Sequence, residues 1–208
     1  MNDPLQALLC NPGVWRGRAG QAVPAQPSGY PWLDACLPGG GWPLGGLSEI
    51  VLDRYGLGEL RLLLPALRQR MEEGGERGWL IWIAPPFIPY APALADAGIP
   101  LQRILVVRTS KLSDGLWAAE QALRSGQCAA VLLWSDPVSL SAMRRLQLAA
   151  ESGACMAVLF RSARALGEHS VAALRLHLSG SGLGLRVHIL KSRGGQPVVL
   201  DRPDFPAP

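Results

Sequence analysis

Five apolar runs recur along this chain of 208 residues, and the segments between them have helical character. Because the runs are continuous rather than alternating, they are typical of parallel strands buried on both faces. Right-handed strand–helix–strand crossovers would place the helices on both faces of a mostly parallel sheet. The runs are LSEIVL, GWLIWIA, RILVV, AAVLLW and CMAVLF, and the predicted helices cover 58–73, 89–97, 114–125 and 139–152.

The last third of the chain follows a different pattern. ALRLHLSG and GLRVHILKSR alternate apolar and polar residues around SGSG, which predicts an antiparallel hairpin at the sheet edge. Prolines and glycines in residues 1–28 predict an irregular N-terminal arm, and three prolines in residues 201–208 predict a C-terminal tail. The sequence therefore predicts an α/β core domain over residues 29–200.

Composition narrows the possible functions. A hydrophobic fraction of 49% with 17% charged residues indicates a globular protein, and a net charge of +4 is compatible with nucleic-acid or acidic protein partners. The N-terminus lacks the order of charges found in secretory signals, and we expect a cytoplasmic protein without membrane contact. The scattered cysteines form no CxxC pair, so neither a zinc site nor a disulfide is expected.

The stretch VLDRYGLGELRLLLPAL has the layout of a phosphate-binding loop, because an apolar strand enters a glycine-containing turn before a leucine-rich helix. A working loop reads G-x-x-x-x-G-K-S/T, whose amides hold the phosphates while the lysine and hydroxyl supply charge and a metal ligand. If Gly58 is the last glycine, Glu59 takes the lysine position and Leu60 the hydroxyl position, with Gly56 in the turn. This degenerate loop predicts neither a nucleotide cofactor nor a metal.

Longer stretches resemble a known family. SGYPWLDACLPGGGWPLGGLSEI, DAGIPLQRILVV and LRVHILKSRGGQP are similar to the core ATPase domain of RecA, in order, over about residues 29–200. Within that superfamily, WIAPPFIPYAPALADAGI, LWAAEQALRSG and RRLQLAAE resemble the ImuA family of bacterial damage-inducible translesion-synthesis cassettes, which is distantly similar to the division inhibitor SulA. The resemblance implies a RecA-like core.

The same resemblance implies that catalysis is lost, and we assign no catalytic residue. The position of the water-orienting carboxylate of RecA corresponds to Pro86. The resemblance places the metal-organising aspartate at the end of the AAVLLW strand, but that position is Trp134. Asp136 follows two residues later and is either a helix cap or a magnesium ligand. The two DNA-holding loops of RecA correspond to the short stretches SDPVS and RSARALGEHS.

Basic and aromatic residues are candidate partner contacts, with solvated charges as the alternative. Lys191 and Arg193 match the RecA basic pair that reaches a neighbouring subunit, and their spacing on a strand points them to one side. Arg144 and Arg145 are about 100° apart on a helix, so only one can be central in a contact. The candidate partner-binding residues are Lys191, Arg193, Arg144, Arg145, Arg161 and Trp15.

The resemblance therefore implies a non-catalytic adaptor in damage-induced, error-prone translesion DNA synthesis. Its expected partners are ImuB, an inactive protein similar to Y-family polymerases, and RecA or its filament. The error-prone polymerase α subunit and the sliding clamp would be engaged indirectly, and direct DNA contact stays open. The alternative is a SulA-like inhibitor of cell division that binds FtsZ.

Overall fold

The computed structural model describes residues 24–181, 184–193 and 195–202. Trp15, most of the predicted arm and residues 203–208 of the predicted tail lie outside these ranges. The helices are α1 Pro31–Asp34, α2 Glu59–Glu73, α3 Ala91–Asp96, α4 Leu112–Arg124 and α5 Leu140–Gly153. The strands are β1 Ala25–Gln26, β2 Trp42–Pro43, β3 Leu47–Leu52, β4 Trp79–Ile83, β5 Ile104–Val107, β6 Cys128–Trp134, β7 Met156–Ser162, β8 Leu174–Ser181, β9 Gly184–Ser192 and β10 Val198–Arg202.

Eight of these strands form one mixed sheet in the order β10-β9-β8-β3-β7-β6-β4-β5. All pairings from β8 to β5 are parallel, whereas β9 is antiparallel to both β8 and β10. The predicted mostly parallel α/β sheet and the antiparallel hairpin are therefore confirmed. β1 and β2 pair separately.

Both faces of the sheet are covered, as the continuous apolar runs require. Alternate side chains of β4 point to opposite faces, so Leu80 and Trp82 belong to one hydrophobic cluster and Ile81 and Ile83 to the other. The first cluster contains buried residues of α2 at helical spacing, and the second contains those of α4 and α5. The fold thus has three layers, with helices on both sides of the sheet.

Two strands differ from the sequence prediction. β5 is an edge strand whose Leu105 is 50% exposed and Val106 36% exposed, although the apolar run predicted burial on both faces. β10 pairs with β9, so the hairpin is not at the sheet edge. Asp201 and Arg202 consequently belong to a strand and not to the tail that was predicted to begin at residue 201.

The helices lie close to their predicted positions, but one predicted cap is wrong. α5 begins after Ser139, whose side chain accepts a hydrogen bond from the Ala142 amide. α4 begins after Lys111 without a side-chain cap, whereas Ser113 or Asp114 was expected to cap it. In the part of the chain that is described, each helix is too short or too polar to cross a membrane.

Candidate functional site at the carboxyl edge of the sheet

The loop from β3 to α2 has the predicted strand–turn–helix form. Gly56 has a φ of +81° and Gly58 a φ of +100°, both in the left-handed region that glycine enters without steric cost. α2 begins directly after Gly58. The two glycines therefore let the chain turn sharply at the carboxyl edge of the sheet and start a helix there.

Glu59 fills the inner side of this loop. Its Oε1 accepts a hydrogen bond of 2.9 Å from the Gly56 amide, and the residue is only 6% exposed. Its Oε2 has no hydrogen-bond partner among the described residues. A carboxylate in the first helical turn is stabilised by the helix dipole, in the place where phosphate loops hold an anionic ligand. A phosphate approaching this loop would meet a negative charge.

An apolar pocket of about 210 Å³ opens beside Glu59. Its walls come from the start of α2, including Leu60, from residues 85–90 after β4, from α3, and from Trp134 at the end of β6. Phe87, Ile88 and Tyr90 on its rim are 68%, 76% and 71% exposed. Clustered exposed apolar side chains are typical of an interaction surface.

A buried ion network joins β3, β7 and β8 to the loops that follow β6 and β7. Arg161 has no exposed surface, and its Nη2 lies 2.8 Å from both Asp136 Oδ1 and Glu168 Oε2. Its Nη1 lies 3.4 Å from Glu49 Oε1, and Arg175 Nε lies 2.9 Å from Glu49 Oε2. Two guanidinium groups therefore meet three carboxylates, which ties β3, β7 and β8 to the loops that follow β6 and β7.

Asp136 is a member of this network. Burial alone would raise the pKa of Asp136, but hydrogen bonds from Ser162 and Arg161 and the charge of Arg161 hold it below its ordinary value. The helix that follows is capped by Ser139 instead. Within the described ranges, no group of three His, Cys, Asp or Glu side chains is placed to hold a metal ion.

The network also places a negative charge near the loop. Partial burial raises the pKa of the Tyr55 phenol, and the carboxylates of Asp136 and Glu59 raise it further. Tyr55 in turn packs edge-on against Phe87, with ring centroids 6.4 Å apart. Tyr55 therefore lies between the loop after β3, the rim of the pocket and the Asp136 carboxylate.

The predicted partner-binding residues do not gather in one place. Arg161 was expected to contact a partner, but in the folded chain its side chain is wholly buried among carboxylates. Arg144 and Arg145 are exposed on α5, and Arg145 Nε lies 3.4 Å from Glu120 on α4. Lys191 is exposed and donates to the Ser170 carbonyl at 3.0 Å.

Lys191 and the exposed Arg193 lie far from the loop after β3. Ser192 pairs with Leu174, and Leu174 pairs with Ser48, so the end of β9 is level with the start of β3. The loop follows the other end of β3, about five residues or roughly 17 Å away at the rise of a strand. The basic pair and the loop thus occupy opposite edges of the sheet.

Several residues of the ion network and the pocket were not predicted. Glu49, Glu168 and Arg175 carry no sequence signal, because their pairing with Arg161 joins elements that are distant along the chain. The segment PPFIPY had a readable signal, since its prolines prevent a regular element and leave its apolar side chains without strand or helix neighbours.

Comparisons with known proteins found a matching family model and several similar proteins. The family model described as "Cell division inhibitor SulA" matches residues 45–157. Protein ImuA of Caulobacter vibrioides strain NA1000 is 33% identical over 180 residues, which cover 84% of this chain and 72% of the relative. SulA of Pseudomonas aeruginosa is 35% identical over 102 residues, which cover 49% of this chain and 63% of the relative.

A solved structure is also similar. The crystal structure of SulA from Pseudomonas aeruginosa shares 32% sequence identity and covers 56% of this chain and 97% of its own, with a TM-score of 0.46. The family model spans more than half of this chain, and the ImuA relative matches most of both proteins. The chain therefore belongs to the ImuA proteins of the SulA-related family.

Proposed function

We propose that the chain is a non-catalytic protein-binding module that acts in damage-induced, error-prone DNA synthesis. The observation that carries this proposal is the Glu59 carboxylate, which accepts from the Gly56 amide in a loop of phosphate-binding layout. The similarity of the chain to ImuA over most of its length supports a role in this process. The chain keeps the strand, turn and helix of a phosphate-binding loop, but its own Glu59 carboxylate takes the place of a bound anion. Such a scaffold is suited to binding proteins.

The absence of nucleotide chemistry is a proposal with a direct test. Glu59 opposes phosphate, Leu60 offers no metal ligand, and Pro86 offers no carboxylate to orient water. We expect titration calorimetry with Mg-ATP to show no binding heat. Micromolar binding of Mg-ATP would refute the proposal that this loop has lost nucleotide binding and that the protein is non-catalytic.

The proposed partners are the polymerase-like ImuB and RecA or its filament, with the error-prone polymerase α subunit and sliding clamp engaged through them. A RecA-like core is part of this proposal, supported by the order of the motifs along the chain. Lys191 near the end of β9 and Arg193 directly after the strand are both exposed, as a contact to a neighbouring subunit requires.

Charge-reversal variants compare the roles of the two exposed pairs of basic residues. We expect the double substitution Lys191→Glu/Arg193→Glu to weaken capture of RecA filaments, because it replaces attraction with repulsion at the contact. Arg144→Glu/Arg145→Glu makes the same change of charge on α5 and serves as the matched comparison. Equal capture by the unmodified chain and by Lys191→Glu/Arg193→Glu would remove the proposed role of the pair.

A second candidate function is division inhibition of the SulA kind, through binding of FtsZ. The match of residues 45–157 to the SulA family model favours it. Co-purification of the tagged full chain with ImuB, RecA and FtsZ, each tested separately, distinguishes the two. Retention of ImuB or RecA without FtsZ supports the first function, and retention of FtsZ alone supports the second.

A further inference from the structure

We propose that the apolar pocket beside Glu59 receives an arginine side chain from a partner protein. This inference rests on the proposed protein-binding function and specifies the chemistry of the contact. Of the described residues that line the pocket, Glu59 alone carries a charge. The partner group that enters must therefore suit one carboxylate surrounded by apolar and aromatic walls.

The charge of the pocket calls for a cation. Glu59 uses one oxygen on the Gly56 amide, while the other is buried without a hydrogen-bond partner among the described residues. A buried carboxylate oxygen without a donor is costly, and a cationic donor relieves that cost.

The shape and the walls of the pocket favour arginine over lysine. The pocket has a volume of about 210 Å³, which is space for one large side chain. Trp82, Trp134, Phe87 and Tyr90 supply aromatic walls. A planar guanidinium stacks on such rings and donates several hydrogen bonds, whereas an ammonium is compact and strongly hydrated. The apolar stem of arginine then covers the remaining surface.

Trp82, which also lines the pocket, has a second buried polar atom without a hydrogen-bond partner among the described residues. The indole Nε1 of Trp82 is buried without a hydrogen-bond acceptor among the described residues, so it can donate to a backbone carbonyl of the entering segment. Both unpaired atoms are covered by their surroundings. Entry therefore requires rim side chains such as Phe87 and Tyr90, which are mostly exposed, to turn aside. Buried arginine and aromatic contacts of this kind commonly dominate binding energy in protein interfaces.

The test uses the isotope-labelled full chain and N-acetyl-arginine amide as the probe, followed through the indole N–H signals in NMR spectra. The Trp82 signal is assigned by its loss in Trp82→Phe. We expect a saturable shift of this signal and an affinity roughly tenfold lower in Glu59→Gln, as expected for loss of one charge-assisted contact. Glu72→Gln makes the same charge change at an exposed site on α2 and should leave binding unchanged.

N-acetyl-citrulline amide and N-acetyl-tryptophan amide are the comparison probes. Citrulline keeps the shape of arginine without its charge, so equal binding of citrulline would overturn the inference. Stronger binding of the tryptophan probe would identify an apolar anchor instead, and absence of a saturable shift with arginine would also overturn it. Glu59→Asp keeps the charge and should retain part of the binding if Glu59→Gln fails to fold.

Co-purification separates failure of this inference from failure of the proposed function. A partner that is captured equally by the unmodified chain and by folded Glu59→Gln removes the arginine contact and leaves the protein-binding function in place. A partner captured by the unmodified chain and by Glu72→Gln but lost from Glu59→Gln supports both. Failure of the unmodified chain to retain ImuB, RecA or FtsZ counts against the proposed function itself.

Discussion

Substitution of Arg161 by methionine provides the sharpest test of how the carboxyl edge is held together. Arg161 and Glu49 are both fully buried, whereas the side chains of Asp136 and Glu168 are 19% and 46% exposed. Arg161→Met therefore leaves one carboxylate in the interior and two that can turn to water. Breaking a buried ion pair by removing one partner costs about 3–5 kcal/mol.

The structure places the expected cost at the lower end of that range. Glu49 keeps Arg175 at 2.9 Å, and the two other carboxylates are partly solvated. We expect Arg161→Met to lower the free energy of unfolding by about 3 kcal/mol. For a chain of this size, that corresponds to a fall in Tm of about 6–12 °C. Urea denaturation followed by circular dichroism measures the change.

A matched control and a double-mutant cycle make the reasoning refutable. Arg164→Met changes an exposed arginine three residues away and should alter the free energy of unfolding by about 0.5 kcal/mol or less. Combining Arg161→Met with Glu49→Gln should cost less than the sum of the two, with coupling of about 1 kcal/mol or more. A loss below about 1 kcal/mol for Arg161→Met, or strict additivity, would refute the interpretation of a coupled buried network.

Three further predictions concern stability. Leu67→Ala in α2, a side chain with no exposed surface, should cost about 2–5 kcal/mol in chemical denaturation, and a loss near zero would contradict its place in the core. Ser139→Ala should cost about 1 kcal/mol through loss of the α5 cap, and Ser139→Thr should restore most of it. Because the pKa of Asp136 is lowered in the folded state, its stabilising contribution is present above the ordinary aspartate pKa of about 3.9 and is lost as pH falls through the lower folded value. The difference in unfolding free energy between the unmodified chain and Asp136→Asn should therefore shrink on acidification in this range, and a difference that is constant with pH would count against the hydrogen bonds of Asp136.

Much of the fold could be predicted from local patterns. The runs that became β3, β4, β6 and β7 are mostly apolar, and each of these strands lies in the interior of the sheet. The alternating segments became β8 and β9, and all four predicted helices agree with the structure to within about two residues at each end. These elements depend on the residues nearest in sequence, so periodicity was sufficient to find them.

Only part of the candidate site could be predicted from the sequence. The spacing of Gly56 and Gly58 predicted a turn before a helix, and the chain turns at these glycines and starts α2 at Glu59. The hydrogen bond from Gly56 to Glu59 could not be predicted, because spacing does not say which way a side chain folds. Arg161 looked like any solvent-facing arginine after a strand, and only its three carboxylate partners from other elements bury it.

The sequence by itself determined the alternation of strands and helices, the antiparallel hairpin and the identity of the residues that fill the loop after β3. Only the tertiary structure decided that β5 lies at an edge, that β10 extends the sheet, and that Lys191 and the loop stand at opposite ends of the strands. The physical reason is the range of the interactions. Strand and helix patterns arise between neighbours in sequence, whereas strand order, burial and ion pairing arise between segments that meet only after the chain has folded.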